Sequence, residues 1–349
     1  MFDLERIRRI LIIKLRYIGD VLLSTPVIQA LKQNIPRASI IMVVNQGTEG
    51  VLKNQPGLDE AWVFPVKGEL GGGWLFRMRQ QMKLIRHLRR QRFDLLIDLT
   101  DGDRAAILGF LSGAAYRVGF NSEGRWRGAL YHQVVQAERD KMHAVDYHLE
   151  AVRAIGCKAD HQNPSLYPSE ADRSAVDHLL AKMGLSTKSV FILLHPGSRW
   201  WFKSWPVEKF IDLAKRIHGV LGYSVVVVGG PKDIESAERI VSACGPWAKS
   251  VAGQITVLQL AVLAQHGQLF IGNDAGPMHI AAAVGTPVVA LFGPTDPRMW
   301  GPLGQGHEVL WKQVDCNPCW RSGCQRGELN CMRQITVDEV WDAARRILK

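Results

Sequence analysis

Residues 268–292, QLFIGNDAGPMHIAAAVGTPVVALF, contain one complete strand–loop–helix–strand unit. The runs 268–272 and 287–292 are apolar and of strand length, and the small-residue stretch 276–284 between them predicts a helix. Pro277 suits the first turn of such a helix. A strand, a crossover helix and a second strand are typical of a parallel sheet covered by helices. This stretch therefore predicts an α/β fold.

The same alternation of strands and helices runs through both halves of the chain. In the first half it predicts strands at 10–15, 39–44 and 93–99 and helices at 20–33, 74–92 and 142–155. In the second half it predicts strands at 190–194, 224–228, 268–272 and 287–292, and helices at 171–183, 206–221, 232–244, 276–284 and 337–348. Segment 157–168 loses this periodicity and contains two X-Pro steps, so we interpret it as a linker. We expect two doubly wound, Rossmann-like domains that face a central cleft, with ligands beyond the carboxyl ends of the strands.

The composition limits the class of protein. Lys and Arg total 43 against 33 Asp and Glu in 349 residues, a formal net charge of +10, which favours an anionic partner. An apolar content of 47% excludes disorder as the main state. The apolar runs are too short to span a membrane, and the N-terminus has no apolar stretch typical of a signal peptide. We therefore expect a cytoplasmic protein.

The first loop with candidate chemistry follows the first predicted strand and contains Gly19 and Asp20. Gly19 permits close approach of a ligand to the backbone. Asp20 stands where a helix begins, so it is either a helix cap or a carboxylate that acts as a general base.

The loop HPGSRWWFKSWP, residues 195–206, follows a buried strand in the second half. It combines a small backbone turn at Gly197, the hydroxyl of Ser198 and the cations Arg199 and Lys203, which together could hold a diphosphate. Three Trp residues in six positions are unusual for a plain connection, although core packing of the Trp side chains is the alternative explanation.

Two further loops of the second half suit a nucleotide. Gly229 and Gly230 form a tight turn before a helix, without the G-x-G-x-x-G pattern of dinucleotide sites, and Glu235 either binds a ribose or only stabilises the helix start. The segment DAGPMH, residues 274–279, places helix amides where an anion could bind without a metal. Asp274 and His279 are alternatively a cap and a core histidine.

The positive charge is concentrated on the predicted helix 74–92. This segment contains no acid, and its seven cations are Arg77, Arg79, Lys83, Arg86, Arg89, Arg90 and Arg92. Such a surface favours an anionic acceptor or lipid. No nucleic-acid-binding module is recognisable, so we do not expect a nucleic-acid partner. The D-x-D pattern at Asp101 and Asp103 more often marks a turn and a helix cap than a metal site.

Four cysteines, Cys316, Cys319, Cys324 and Cys331, lie in one short stretch. Four thiolates could bind a structural zinc ion, but the spacing does not match two C-x2-C pairs, so we favour free thiols. We expect no other metal or cofactor.

The segments IIKLRYIGDVLLSTPVIQALK, HPGSRWWFKSWP and GNDAGPMHIAAAVGTPVVALFGPTDP, in this order, resemble bacterial lipopolysaccharide heptosyltransferases of glycosyltransferase family nine, which have the GT-B fold. The resemblance extends over nearly the whole chain. The first segment, continued by FDLLIDLTDGD, most resembles the heptosyltransferase III type of the inner core. The cysteine stretch CNPCWRSGCQRGELNCM is closer to the heptosyltransferase II type.

This resemblance implies an inverting transfer of heptose from ADP-L-glycero-D-manno-heptose, without a metal, to the lipopolysaccharide inner core. It implies an acceptor domain at residues 1–160 and a donor domain at 161–349, whose last helix could pack back on the acceptor domain. Asp20 would be the catalytic base and Lys203 would contact the donor phosphates and assist catalysis. The remaining donor contacts would be Gly197, Ser198, Arg199, Glu235, Asp274, Ala275, Gly276 and His279. From the loop and the basic helix we expect acceptor contacts at Gly19, Arg77, Arg79 and Arg86, and a peripheral position on the cytoplasmic face of the inner membrane.

Two other classes remain open from the residues alone. One is a GT-B glycosyltransferase with another nucleotide-sugar donor, or with the acceptor of the heptosyltransferase II type. The other is a non-catalytic protein that binds nucleotides or nucleic acid.

Overall fold

The computed structural model describes residues 4–65, 74–319, 323–327 and 330–349. The chain divides into two compact units, Met1–Ser165 and Leu166–Lys349. This division falls inside the segment 157–168 that we interpreted as a linker.

The first unit is built on a six-stranded parallel sheet. Its strands are β1 (Arg9–Lys14), β2 (Ser39–Asn45), β3 (Glu60–Phe64), β4 (Leu95–Asp98), β5 (Tyr116–Gly119) and β6 (Gln133–Val134), in the order β3-β2-β1-β4-β5-β6. Its helices are α1 (Ile18–Leu22), α2 (Thr25–Asn34), α3 (Trp74–Gln91), α4 (Asp103–Leu111) and α5 (Ala144–Ala154). From Ile10 to Ile13, every residue of β1 is buried, as expected for a central strand covered on both faces.

One helix prediction in this unit is wrong. Segment 20–33 is not a single helix: α1 ends at Leu22, and α2 begins at Thr25. The hydroxyls of Ser24 and Thr25 donate to the carbonyls of Val21 and Leu22 at 2.7 and 2.8 Å, which satisfies backbone groups at the break. Pro26 therefore lies in the first turn of its own helix, where its missing N–H costs no hydrogen bond.

The second unit repeats this architecture. Its strands are β7 (Phe191–His195), β8 (Ser224–Val227), β9 (Ala248–Ser250), β10 (Leu269–Asn273), β11 (Val288–Phe292) and β12 (Glu308–Trp311), in the order β12-β11-β10-β7-β8-β9 and parallel throughout. Its helices are α6 (Glu170–Lys182), α7 (Val207–Leu221), α8 (Ile234–Cys244), α9 (Val257–His266), α10 (Gly276–Ala283), α11 (Pro297–Trp300), α12 (Cys331–Gln334) and α13 (Val337–Ile347).

The closing helix α13 belongs to the second unit. Its residues Val340, Trp341, Ala343 and Ala344 are buried in the core that also contains Phe210 of α7. The predicted fold, two doubly wound parallel sheets, is confirmed. None of the described helices is long and apolar enough to cross a membrane.

The strand order decides where a ligand can bind. In the first unit the chain forms β1 and then adds β2 and β3 on one side of it, before β4, β5 and β6 on the other, so the order reverses between β1 and β4. In the second unit the order reverses in the same way between β7 and β10. A crevice opens at the carboxyl ends of the strands at such a reversal. The loops after β1 and β4, and after β7 and β10, are therefore the places to look for chemistry.

Candidate active site

A buried asparagine holds the loop after β7 in place. The side chain of Asn273, at the end of β10, donates to the carbonyl oxygens of Pro196 and Gly197 at 2.8 and 3.1 Å. Its Oδ1 accepts a hydrogen bond from the backbone N–H of Trp205 at 3.0 Å. One amide thus joins both ends of the loop to the neighbouring strand. Asn273 is not among the site residues predicted from the sequence.

The carboxylate of Asp233 lies against the same loop. A β-carbon placed on Gly197 would lie 2.1 Å from Oδ1 of Asp233, so only glycine fits there without a shift. The backbone N–H of Gly230 donates to Oδ2 at 2.8 Å, and Nε2 of His195 lies 3.6 Å from the same oxygen. Burial favours a raised pKa, but His195 and the N–H of Gly230 outweigh it and lower the pKa of Asp233. Asp233 therefore stays ionised and holds two loops together.

Glu235 occupies a different environment from Asp233. It lies in the first turn of α8 and is exposed. The acid that contacts the turn Gly229–Gly230 is Asp233, which the sequence analysis missed. The available signal was an acid three residues after the second of two glycines that follow a Val-rich strand. The ribose role of Glu235 stays a prediction.

Lys203 and Asp274 form an ion pair between the loop after β7 and the start of α10. Nζ of Lys203 lies 3.1 Å from Oδ2 of Asp274, and both side chains are largely shielded from solvent. The hydroxyl of Thr295 donates to the same carboxylate oxygen at 2.5 Å. The structure thus brings together two predicted donor contacts and adds Thr295 from the loop after β11.

The start of α10 presents backbone amides beside this pair. Ala275 is the extended N-cap, and Gly276 and Pro277 open the helix. The first amides of a helix have no partner within it and carry partial positive charge. His279, one turn further on, is buried. Asp274, the partner of Lys203, directly precedes these amides in the chain.

Two polar atoms, one at the end of β7 and one in the loop after it, are buried and have no hydrogen-bond partner among the residues that the structure describes. They are Oγ of Ser198 and Nδ1 of His195. Buried polar atoms in folded proteins are nearly always paired, so such an atom indicates a ligand or water contact. A hydroxyl on a loop that also carries Lys203 suits a phosphate oxygen.

The tryptophans of this loop divide into two groups. Trp205 is buried, donates through Nε1 to the carbonyl of Ile335 at 2.9 Å and packs edge-on against Phe210. Trp200 and Trp201 are exposed, and the guanidinium of Arg199 lies 4.9 Å from the ring centre of Trp200. Core packing therefore explains Trp205 alone.

In the first unit, Asp20 lies in the first turn of α1 rather than at its cap. Its Oδ2 accepts a long hydrogen bond from the backbone N–H of Tyr17 at 3.4 Å, and its side chain is half-buried. A bond of this length is weak, which leaves the carboxylate available for chemistry. The preceding residue, Gly19, is buried.

Beneath this loop a lysine and a histidine are buried together. Nζ of Lys14, the last residue of β1, donates to the carbonyl of Leu99 at 2.8 Å and lies 2.7 Å from Nε2 of His148. Nδ1 of His148 lies 3.1 Å from the carbonyl of Leu23 and must donate to it, so Nε2 accepts from Lys14. Burial lowers the pKa of Lys14 to about 8, although the charge of Asp20 opposes that shift. Burial also lowers the pKa of His148 well below its ordinary value.

The carboxylates of the D-x-D pattern are paired with arginine. The buried guanidinium of Arg127 lies 2.9 Å from Asp101 and 3.1 Å from Asp103. Tyr147 and Ser122 also donate to Asp101. Asp101 adopts a positive φ of 52°, and Asp103 begins α4. The interpretation of Asp101 as part of a turn is confirmed, but the predicted helix cap is wrong: Gly102 is the N-cap of α4, and Asp103 is the first residue of the helix.

The basic helix forms as α3, and the side chains of Arg79 and Arg86 are exposed. The side chain of Arg77 lies outside the described residues. Leu84, Ile85 and Leu88 face the core of the first unit. The acceptor role of these arginines stays a prediction.

The four clustered cysteines form no disulfide. Cys316 is exposed and Cys331 is buried, with Cys319 and Cys324 between these extremes. Among the described residues, no group of three or more His, Cys, Asp or Glu side chains is placed to hold a metal ion.

Two doubly wound parallel sheets in one chain are the architecture of GT-B glycosyltransferases. Residues 81–330 match Glycosyltransferase family 9 (heptosyltransferase), and the chain belongs to this family. It is 32% identical over 308 residues to an Escherichia coli lipopolysaccharide heptosyltransferase 3, covering 85% of this chain and 87% of the relative. It is 28% identical to lipopolysaccharide heptosyltransferase 2 of Escherichia coli K12, covering 97% and 98%. The predicted family and enzyme class are confirmed.

Solved structures show the same fold. A family 9 glycosyltransferase from Veillonella parvula superposes with a TM-score of 0.83 at 25% identity, covering 98% of this chain and 97% of that one. The ADP-heptose heptosyltransferase II of Escherichia coli superposes with a TM-score of 0.79 at 24% identity, covering 97% and 98%.

Proposed function

We propose that this chain transfers a heptose from ADP-L-glycero-D-manno-heptose to the inner core of lipopolysaccharide, with inversion at the anomeric carbon. The observation that carries the proposal is the junction of the loop after β7 with the start of α10. Asn273 ties the loop to the strand end, and the Lys203–Asp274 pair spans the same gap at 3.1 Å. Within a family 9 enzyme, this junction is suited to a nucleotide diphosphate that carries a sugar.

The donor contacts divide between the diphosphate and the sugar. Lys203, the hydroxyl of Ser198 and the helix amides at Ala275 and Gly276 supply charge and donors for the phosphate oxygens. Arg199 is exposed on the same loop and completes this set. The carboxylate of Asp274 accepts hydrogen bonds and suits heptose hydroxyls.

The reaction is a single displacement. Asp20 takes the proton from an acceptor hydroxyl, whose oxygen attacks the anomeric carbon and expels ADP. A general base of this kind contributes roughly 10²- to 10⁴-fold to the rate. Negative charge develops on the departing diphosphate, and Lys203 with the amides of α10 stabilises it, as donors of an oxyanion hole do.

We propose that this transfer needs no metal. The acids that most resemble a metal-binding pattern, Asp101 and Asp103, are occupied by the guanidinium of Arg127. The cations and amides around the donor phosphates supply the positive charge instead.

The acceptor contacts include Gly19 beside the base and the cationic side chains of α3, which suit the phosphates of a lipopolysaccharide core. Because that acceptor is anchored in lipid, the enzyme works as a peripheral protein on the cytoplasmic face of the inner membrane. The 31–32% identity to heptosyltransferase 3 relatives favours the acceptor of that type.

The test is calorimetric titration with ADP, UDP and GDP in the presence of a chelator, followed by transfer from ADP-heptose. Selective binding of ADP is expected, and selective binding of UDP or GDP would refute the donor assignment. Two acceptors are compared: lipopolysaccharide from a strain blocked before the second core heptose, and lipopolysaccharide from a strain blocked before the third. Transfer is expected to the acceptor that lacks only the third. Transfer only to the acceptor that lacks the second would assign the heptosyltransferase II type instead, and transfer to neither would refute the function.

A further inference from the structure

Helix α3 presents an apolar ridge to solvent. The side chains of Leu75, Met78 and Met82, spaced i, i+3 and i+7 on one side of the helix, are between 44% and 58% exposed. They lie within about two turns of one helix. Leu84, Ile85 and Leu88, in the C-terminal half of the helix, pack against the core of the first unit. The exposed apolar side chains therefore lie in the N-terminal half of α3, before the residues that anchor the helix.

Cations adjoin this ridge along the helix. Met78 and Met82 are four residues apart, as are Arg79 and Lys83, so the two pairs form neighbouring rows on one surface. Arg86 continues the row of Met82 toward the C-terminal end. Every cation whose side chain is described on this helix is exposed: Arg79, Lys83, Arg86, Arg89 and Arg90. The helix sequence contains no acid that would pair with them.

An exposed apolar ridge bordered by cations is characteristic of helices that lie in the membrane interface. Cations close to an anionic leaflet are attracted to it, and the apolar side chains enter the boundary between headgroups and acyl chains. A contact between two copies of this face would bring like charges together, which disfavours a symmetric dimer through α3. A polyanion in water would use the cations but would not need the ridge.

We propose that the outer face of α3 docks the protein on an anionic lipid bilayer, with Leu75, Met78 and Met82 inserted and the cations at the lipid phosphates. This inference rests on the proposed function, which places the acceptor in lipid, and it names the surface that carries the enzyme to it.

The experiment is co-sedimentation of the full chain with vesicles of phosphatidylcholine alone or mixed with phosphatidylglycerol. The ridge variant is Met78→Ser with Met82→Ser, and the matched control is Val220→Ser, an apolar side chain on α7 that is 64% exposed. Wild type and control are expected to sediment with the vesicles that contain phosphatidylglycerol and not with those of phosphatidylcholine alone. Partitioning of the ridge variant should fall about tenfold or more, because two inserted side chains are lost. Far-UV circular dichroism and unfolding midpoints should remain equal, since the replaced side chains are exposed.

Three results would overturn the proposal: wild type bound to neither vesicle, the ridge variant bound as tightly as wild type, or equal loss in the control. A wild-type dimer in light scattering that the ridge variant abolishes would assign the face to a second copy instead. Transfer to a lipid-free core fragment separates the two proposals. If wild type and ridge variant transfer equally to this fragment but the variant still binds vesicles, only the docking surface is wrong. If wild type fails to transfer at all, the proposed function is wrong, whatever the vesicles show.

Discussion

A β-carbon on Gly197 would lie 2.1 Å from Oδ1 of Asp233, so the loop after β7 passes directly over this carboxylate. The carboxylate cannot easily turn away, because the backbone N–H of Gly230 donates to it at 2.8 Å and His195 lies on its other side. This contact sets the path of the backbone that leads to Ser198.

Gly197→Ala should therefore weaken the site and the fold together. We expect a loss of about 1–3 kcal/mol in the free energy of unfolding, the usual cost of overpacking, and weaker ADP binding by calorimetry. Gly230→Ala is the matched control, because its β-carbon would meet Oδ2 of Asp233 at an ordinary 3.8 Å. Equal behaviour of the two variants would show that the close contact is relieved without cost.

Asp233 and Glu235 can be separated with a nucleotide that lacks the ribose hydroxyls. Glu235→Ala should weaken the binding of ADP but leave the binding of 2′,3′-dideoxy-ADP unchanged, because the predicted contact of Glu235 is with the ribose hydroxyls. Asp233→Ala should weaken both nucleotides by a similar factor, because it acts through the loop backbone. Calorimetry of the four combinations checks this. If Glu235→Ala binds ADP normally, its ribose role is wrong.

The apolar strands could be predicted because they are central and parallel. Strands such as β1 and β11 are buried on both faces and form continuous apolar runs. The short edge strands β6 and β9 were missed, since two or three half-polar residues carry no pattern. The helix α9 was missed for the opposite reason, because it is apolar on nearly every side and shows no amphipathic period.

Site residues could be predicted where a single loop contains the charged side chains, but not where the contact joins two loops that are distant in sequence. Lys203 and Asp274 stood out as a cation and an acid in their own motifs. Asn273 and Asp233 both contact Gly197, which lies in a different loop from either of them. The residues around each of them in the sequence do not indicate this contact. The break between α1 and α2 depends on hydroxyls that satisfy backbone carbonyls, which periodicity does not detect.

The buried position of Lys14 predicts a specific dependence of stability on pH. Its pKa is about 8 in the folded protein and ordinarily 10.5. Between these values the unfolded chain binds more protons, so the free energy of unfolding rises with pH, by roughly 3 kcal/mol in all. Urea unfolding at pH 8 and pH 10 should show about 2 kcal/mol of this rise in wild type, because half of the buried lysine has already lost its proton at pH 8, and no such rise in Lys14→Met. Lys53→Met, at an exposed lysine, should follow wild type. If the free energy of unfolding changed with pH in the same way in wild type and Lys14→Met, the lowered pKa of the buried Lys14 would be wrong.

Lys203→Ala should weaken ADP binding by roughly tenfold to 150-fold, the effect of losing a hydrogen bond to a charged group. It should also slow transfer, since the departing diphosphate loses a cation in the transition state. Lys215→Ala removes an exposed lysine from α7 and should change neither quantity. Calorimetry and a transfer assay read the two effects separately. Unchanged ADP binding and unchanged rate in Lys203→Ala would remove this residue from the donor site.

Asp20→Asn tests the proposed base. Asparagine keeps an oxygen for the long hydrogen bond from Tyr17, so the fold and its urea midpoint should be unchanged. ADP binding should also persist, because the donor contacts that we propose lie in the second unit. Transfer should fall by roughly 10²- to 10⁴-fold, since the amide cannot accept the proton of the acceptor hydroxyl. Asp146→Asn, another first-turn acid of the same unit, should keep full activity. If Asp20→Asn transfers heptose at a rate close to that of wild type, another group must take the proton, and Asp20 is reduced to its contact with Tyr17.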